Sequence, residues 1–67
     1  MIEEKVIAEH SLTIERKTFT LSLRENGGGK FLRVTEEKNG RRNTIIVPGS
    51  GLAEFQAKVT ELAGLGK

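Results

Sequence analysis

Alternation of apolar and polar positions runs through the first two thirds of the chain. In residues 4–14 (EKVIAEHSLTI), Val6, Ala8, Leu12 and Ile14 take even positions, while Lys5, Glu9, Ser11 and Thr13 take odd ones. Period two is the signature of a strand with one face covered. The length of this stretch and the odd position of Ile7 leave room for a bend or bulge. A second strand spans residues 16–25, with Phe19, Leu21 and Leu23 on one face and Thr18, Thr20, Ser22 and Arg24 on the other. The glycines after Asn26 stop it and supply the positive φ of a hairpin turn, and Asn-Gly is a strong short hairpin signal. A third strand at 30–37 follows, and Asn39-Gly40 marks another hairpin. Arg41 and Arg42 open the fourth strand, in which Ile45 and Val47 share a face and Ile46 takes the other.

Pro48 ends the sheet because it cannot donate to a ladder. Ser50 is the expected helix N-cap and Gly64 the expected C-cap. Between them Leu52, Phe55, Val59 and Leu62 recur at helical spacing. The chain therefore reads as one α+β domain, residues 1–67, of order β-β-β-β-α: a four-stranded antiparallel sheet with one C-terminal helix covering one face. His10 falls on the apolar side of the first strand and is assigned no chemistry.

One residue resists the alternation. Leu32 and Val34 point to the core, so Phe31 lies on the outer face with Arg33 and Thr35. An aromatic ring beside a cation on a face that should be wet demands an explanation. Stacking against a base and seating in a dimer contact are both open on patterning alone.

Charge sharpens the first of these. The net charge is only +2, but residues 1–15 hold one lysine against four glutamates, a net of −3. Residues 16–42 hold eight Lys or Arg against three Glu, a net of +5, and residues 43–67 balance. A basic patch of this kind points to a polyanion. Its bland counterpart is a solvated sheet face whose lysines discourage edge-to-edge aggregation.

Size and composition narrow the classes further. A chain of 67 residues has a marginal core. There is no cysteine and a single histidine, which removes disulfides, thiolate sites and histidine-pair metal sites and leaves oligomerisation as the expected aid to folding. No apolar run approaches a membrane span and the acidic N-terminus is unlike a signal peptide, so a soluble cytoplasmic protein without a cofactor is expected. Enzymatic function is not expected. Ser11, Ser22 and Ser50 have no base beside them in any motif, and adjacent Glu36 and Glu37 point to opposite faces.

The GGGK stretch lacks phosphate-loop spacing and precedes a strand rather than a helix, so it reads as a turn. The outer face instead suits single-stranded nucleic acid, for which cations track phosphates and aromatics stack on bases. Phe31 is the expected stacking or wedging group. Arg24, Lys30, Arg33, Arg41 and Arg42 are the expected phosphate contacts, and Asn26 offers an amide for a base edge.

The stretches RKTFTLSLRENGGGKFLRV and NTIIVPGSGLAEFQAKVTELAGLG resemble a single repeat of the Pur-alpha family, over about residues 4–66. That family binds purine-rich single-stranded DNA and RNA, so the resemblance implies a PUR repeat acting in transcriptional or post-transcriptional regulation. It implies that two copies intertwine as a homodimer by exchanging helices, with Leu52, Phe55, Val59 and Leu62 at the dimer interface. It also assigns Arg24, Asn26 and Lys30 to nucleic-acid contacts, and to Phe31 a wedge between bases. The family usually keeps a basic residue inside the turn, where this chain has Gly28. A chain with one repeat looks more like a bacterial member, nucleoid-associated in such a cell, than a eukaryotic fragment, for which a nuclear site is expected. Two rivals remain: a dimerisation or protein-interaction module with little nucleic-acid affinity, and a different small sheet-and-helix fold that binds single strands.

Overall fold

A computed structural model describes residues 4–66. Strands β1 (Lys5–Ile14), β2 (Lys17–Asn26), β3 (Gly29–Lys38) and β4 (Arg41–Pro48) form one antiparallel meander in sequence order. A 3-10 turn at Gly49–Gly51 leads into helix α1 (Leu52–Leu65). The β-β-β-β-α order expected from the alternation is the observed one.

Three tight turns set the register. Asn39 and Gly40 both have positive φ (52° and 80°) and join Lys38 to Arg41, the geometry that an Asn-Gly pair favours. The β2–β3 turn joins Asn26 to Gly29. Only Gly29, at φ 125°, uses the positive region there, so the glycine run supplies one such residue rather than three. The β1–β2 turn carried no signal in composition: Glu15 and Arg16 adopt φ of 47° and 73° between paired Ile14 and Lys17. Residues with a Cβ are strained there, by about 1–2 kcal/mol each, and the pairing of ten-residue strands on either side holds them in place.

Cross-strand pairing sorts the side chains into two faces. Leu23 lies opposite Leu32, and Leu32 opposite Val47; Leu21 lies opposite Val34, and Val34 opposite Ile45. His10 and Leu12 of β1 extend this apolar face, beside Leu21 and Phe19. On the other face Arg24 lies opposite Phe31, and Phe31 opposite Pro48; Ser22 lies opposite Arg33, and Arg33 opposite Ile46. A bulge lies between Val6 and Ala8, with Ile7 as the extra residue. Beyond it the parity of β1 reverses. Val6 pairs with Arg24 and leaves the apolar face on which simple alternation placed it.

The helix departs from expectation at both ends and in its packing. Its N-cap is Gly51, without a side-chain cap, because the 3-10 turn has absorbed Ser50. It continues through Gly64 and closes at Gly66, whose N–H donates to the Leu62 carbonyl at 3.0 Å. Nor does α1 seal its own sheet. No helix residue is buried, and Phe55, Val59, Leu62 and Leu65 are 41%, 50%, 67% and 77% exposed. An open groove of roughly 800 Å³ separates Phe55, Gln56 and Val59 from Leu21, Leu23 and Leu32. Among the described residues Val47 is the only buried apolar side chain.

The radius of gyration is 13.5 Å, against about 11 Å for a compact domain of this length. A close approach fixes where the helix leaves the sheet. A Cβ on Gly49 would stand 2.4 Å from the Lys30 carbonyl oxygen, so only glycine lets the chain cross β3 there.

Candidate nucleic-acid interface

The outer face is built from the middle of β2 and β3. Ser22 is its floor, 2% exposed, because Glu9 and Arg33 flank it across the strands and Arg24 folds over it. Two open cavities lie on this face. One, of roughly 570 Å³, surrounds Phe31 and includes Glu4, Asn26, Lys30, Thr44, Ile46 and Pro48. The other, of roughly 320 Å³, lies among Glu9, Thr20, Arg24, Thr35 and Arg42. Arg33 lines both and joins them into one track.

Phe31 is half-buried, flanked by Arg24 and Pro48, and its cavity is open to solvent. Arg33 takes part in no ion pair among the described residues, so its charge is available on this face. Asn26, at the strand end, accepts the Gly28 N–H on its side-chain oxygen at 2.8 Å. That bond closes the turn and fixes the amide, leaving its NH2 as a donor.

The remaining expected cations are less uniform. Arg24 is 22% exposed and donates from Nε to the Ser22 hydroxyl at 2.8 Å. Its terminal nitrogens meet Glu4 at 2.6 Å and Glu9 at 3.9 Å. Arg42 shares the face of Phe31 but lies at the far end of the sheet, 3.6 Å from Glu37. Phe31 and Glu37 are six residues apart on β3, so these ends are separated by about 20 Å. Lys30 alternates to the opposite face, yet this exposed residue at the hairpin tip still borders the Phe31 cavity.

Arg41 lies on the opposite face, with Lys17, Lys38 and Asn43 around Glu36. Lys17 and Asn43 donate to the two Glu36 oxygens at 3.0 and 3.3 Å. The Lys17 hydrogen bond, then that from Asn43 and the lysine charge, hold the Glu36 carboxyl below its ordinary 4.5. The basic central segment is thus divided between the two faces and partly neutralised by its own glutamates.

Residue reading overlooked Glu4 and Glu9, as well as the β4 wall of Thr44, Ile46 and Pro48. The wall was legible by counting alternation back from Pro48. The glutamates were not, because their placement depends on the bulge. Of the four expected interface residues on α1, Leu52 is half-buried, Phe55 and Val59 line the groove, and Leu62 is exposed. Among the described residues no group of His, Cys, Asp or Glu converges as metal ligands would, and no helix is long and apolar enough to cross a membrane.

Comparison with known proteins adds an independent line. The chain matches the model of a family described as PurA ssDNA and RNA-binding protein, over residues 2–65. It is similar to transcription factor Pur-alpha 1 of Arabidopsis thaliana, 39% identical over 49 residues, which are 73% of this chain and 17% of that protein. It is similar also to transcriptional activator plp-1 of Caenorhabditis elegans, 33% identical over 62 residues, 88% of this chain and 27% of that protein. The chain thus spans about a quarter or less of the curated relatives it matches. No solved structure matches at comparable significance.

Proposed function

The chain belongs to the PurA family, and from that premise we propose that it binds purine-rich single-stranded DNA or RNA on the outer sheet face, as a homodimer, in transcriptional or post-transcriptional regulation. The observation that carries this reading is the open cavity around Phe31, bordered by Arg33, Lys30 and Asn26. A half-buried ring that lines an open recess can take a base by stacking, worth about 1–3 kcal/mol per base. Arg33 lies along the path the backbone of such a strand would take, and Arg42 marks its far end. The Asn26 NH2, not used in closing the turn, is a donor at this end of the face. Lys30 contributes at the tip, and Arg24 orders the floor.

The other face supports the dimer. A lone chain leaves Leu12, Ile14, Ile45, Phe55, Val59 and Leu62 exposed. Fully covering a side chain of this size contributes roughly 1.5–3 kcal/mol, and the sequence holds no cysteine for a disulfide. A second copy whose helix enters the open groove supplies the missing layer, with Leu52, Phe55, Val59 and Leu62 at the contact.

Titration of a labelled purine-rich single strand tests the reading, with sedimentation of the protein alone beside it. Saturable binding that weakens steeply as salt rises is expected. Dimer without binding at low salt leaves the protein-interaction module as the better description.

A further inference from the structure

The two glutamates that hold Arg24 have no task in binding so far. Positions 4 and 9 differ by five, so in a regular strand their side chains point to opposite faces. The extra residue at Ile7 reverses the parity and turns both carboxylates toward Arg24. Bulges commonly re-aim a side chain in this way. The outcome is a cation whose Nε is taken by Ser22 and whose terminal nitrogens face two carboxylates, directly across from Phe31. Glu4 is also part of the Phe31 cavity wall. On the outer face, then, Arg24, Arg33 and Arg42 stand against Glu4, Glu9 and Glu37.

We propose that Glu4 and Glu9 are specificity-determining residues that set the preference for single strands over duplex. The inference rests on the nucleic-acid function proposed above. A duplex keeps its bases stacked and offers this face only phosphates, which need free cations. The two carboxylates occupy Arg24 as phosphates would and repel a backbone that approaches it. A single strand is treated differently. An unstacked base enters the Phe31 cavity as a neutral ring, and the N–H groups on its edge are donors that the Glu4 carboxylate accepts. The same charge therefore opposes binding through backbone alone and tolerates binding through a base. Specificity of this kind comes from a penalty on the wrong partner.

The test compares a labelled purine-rich single strand with the duplex of the same sequence, at about 0.1 M salt. Proteins measured are the wild type, Glu4→Gln/Glu9→Gln, Glu9→Gln and the remote charge control Glu54→Gln. Freeing Arg24 for one phosphate raises duplex affinity about tenfold and steepens its salt slope by about one. Single-strand affinity should rise less than about threefold, because its gain in phosphate contact is offset by a lost acceptor. Selectivity then falls in the double variant, by a smaller step in Glu9→Gln, and not in Glu54→Gln. Equal tightening on both substrates, no change on either, or the same shift in Glu54→Gln would overturn the proposal. If the double variant no longer melts cooperatively, Glu9→Gln alone decides. A wild type that binds no single strand removes the proposed function and this inference together. A wild type that binds, with an unchanged ratio in the variants, removes this inference alone.

Discussion

On one face of the sheet Leu21, Leu23, Leu32 and Val34 stand in register with no layer closed over them, and Val47 is the only buried apolar side chain among the described residues. On the other, polar side chains have organised themselves so tightly that a serine is 2% exposed. The face that should be the core is unfinished, and the face that should be wet is ordered. The difference separates two requirements. Apolar side chains need cover, which the helix of this chain leaves incomplete. Polar and charged side chains are satisfied within the strand ladder, as Thr35 with Thr44 and Arg24 with Ser22 illustrate. In the function proposed above, assembly would use the first face and recognition the second.

Placing a charge on the apolar side should break this comparison most completely. In the homodimer proposed above, Val59→Asp would desolvate a carboxylate in a groove closed by the second copy, at a cost of more than about 3 kcal/mol. Sedimentation should show loss of the dimer, and thermal melts should lose their concentration dependence. Retention of the dimer would mean that the helix stripe is not the contact.

Gly49→Ala tests the junction through which both faces are tied to the helix. Its methyl would force the chain off the Lys30 carbonyl, a change that typically destabilises by about 1–3 kcal/mol. Melting temperature should fall, and a denaturant midpoint measured in parallel should fall with it. Unchanged stability would show that the crossing of β3 has slack.

Phe31→Ala tests the outer face alone. Single-strand affinity should drop by about 1–3 kcal/mol, read by fluorescence anisotropy, while the dimer persists. Dissociation into monomers would instead assign the ring to the contact between copies.

The smallest effect is expected at Glu36, which lies at the rim of the apolar face. Its folded-state pKa lies below 4.5, so the bond to Lys17 stabilises the fold above that pH. That contribution is lost as pH falls through the lowered value. Glu36→Gln should lower the melting temperature slightly at neutral pH and leave it nearly unchanged at acid pH, where the wild-type carboxyl is already protonated, so the profile flattens across the region below 4.5.

Most of the architecture was legible because the signals are local. Alternation needs only neighbours two residues away, so the four strands and the outward aim of Phe31 could be read directly. Asn39-Gly40 announced its turn, whereas Glu15-Arg16 did not, since nothing in those residues favours positive φ. Ser50 looked like a cap, but Pro48 and Gly49 start a 3-10 turn first. Arg41 and Arg42 looked like one basic pair, yet as neighbours in a strand they point to opposite faces.

The chain's own order of residues therefore determined the strands, the helix and which ring faces water, because periodicity and turn chemistry act within a few residues. Only the tertiary structure decided which charges stay free. That outcome depends on cross-strand register. One extra residue at Ile7 was enough to turn Glu4 onto the face of Phe31, beside Arg24. Arg33 was left without a carboxylate among the described residues, beside the ring it would serve.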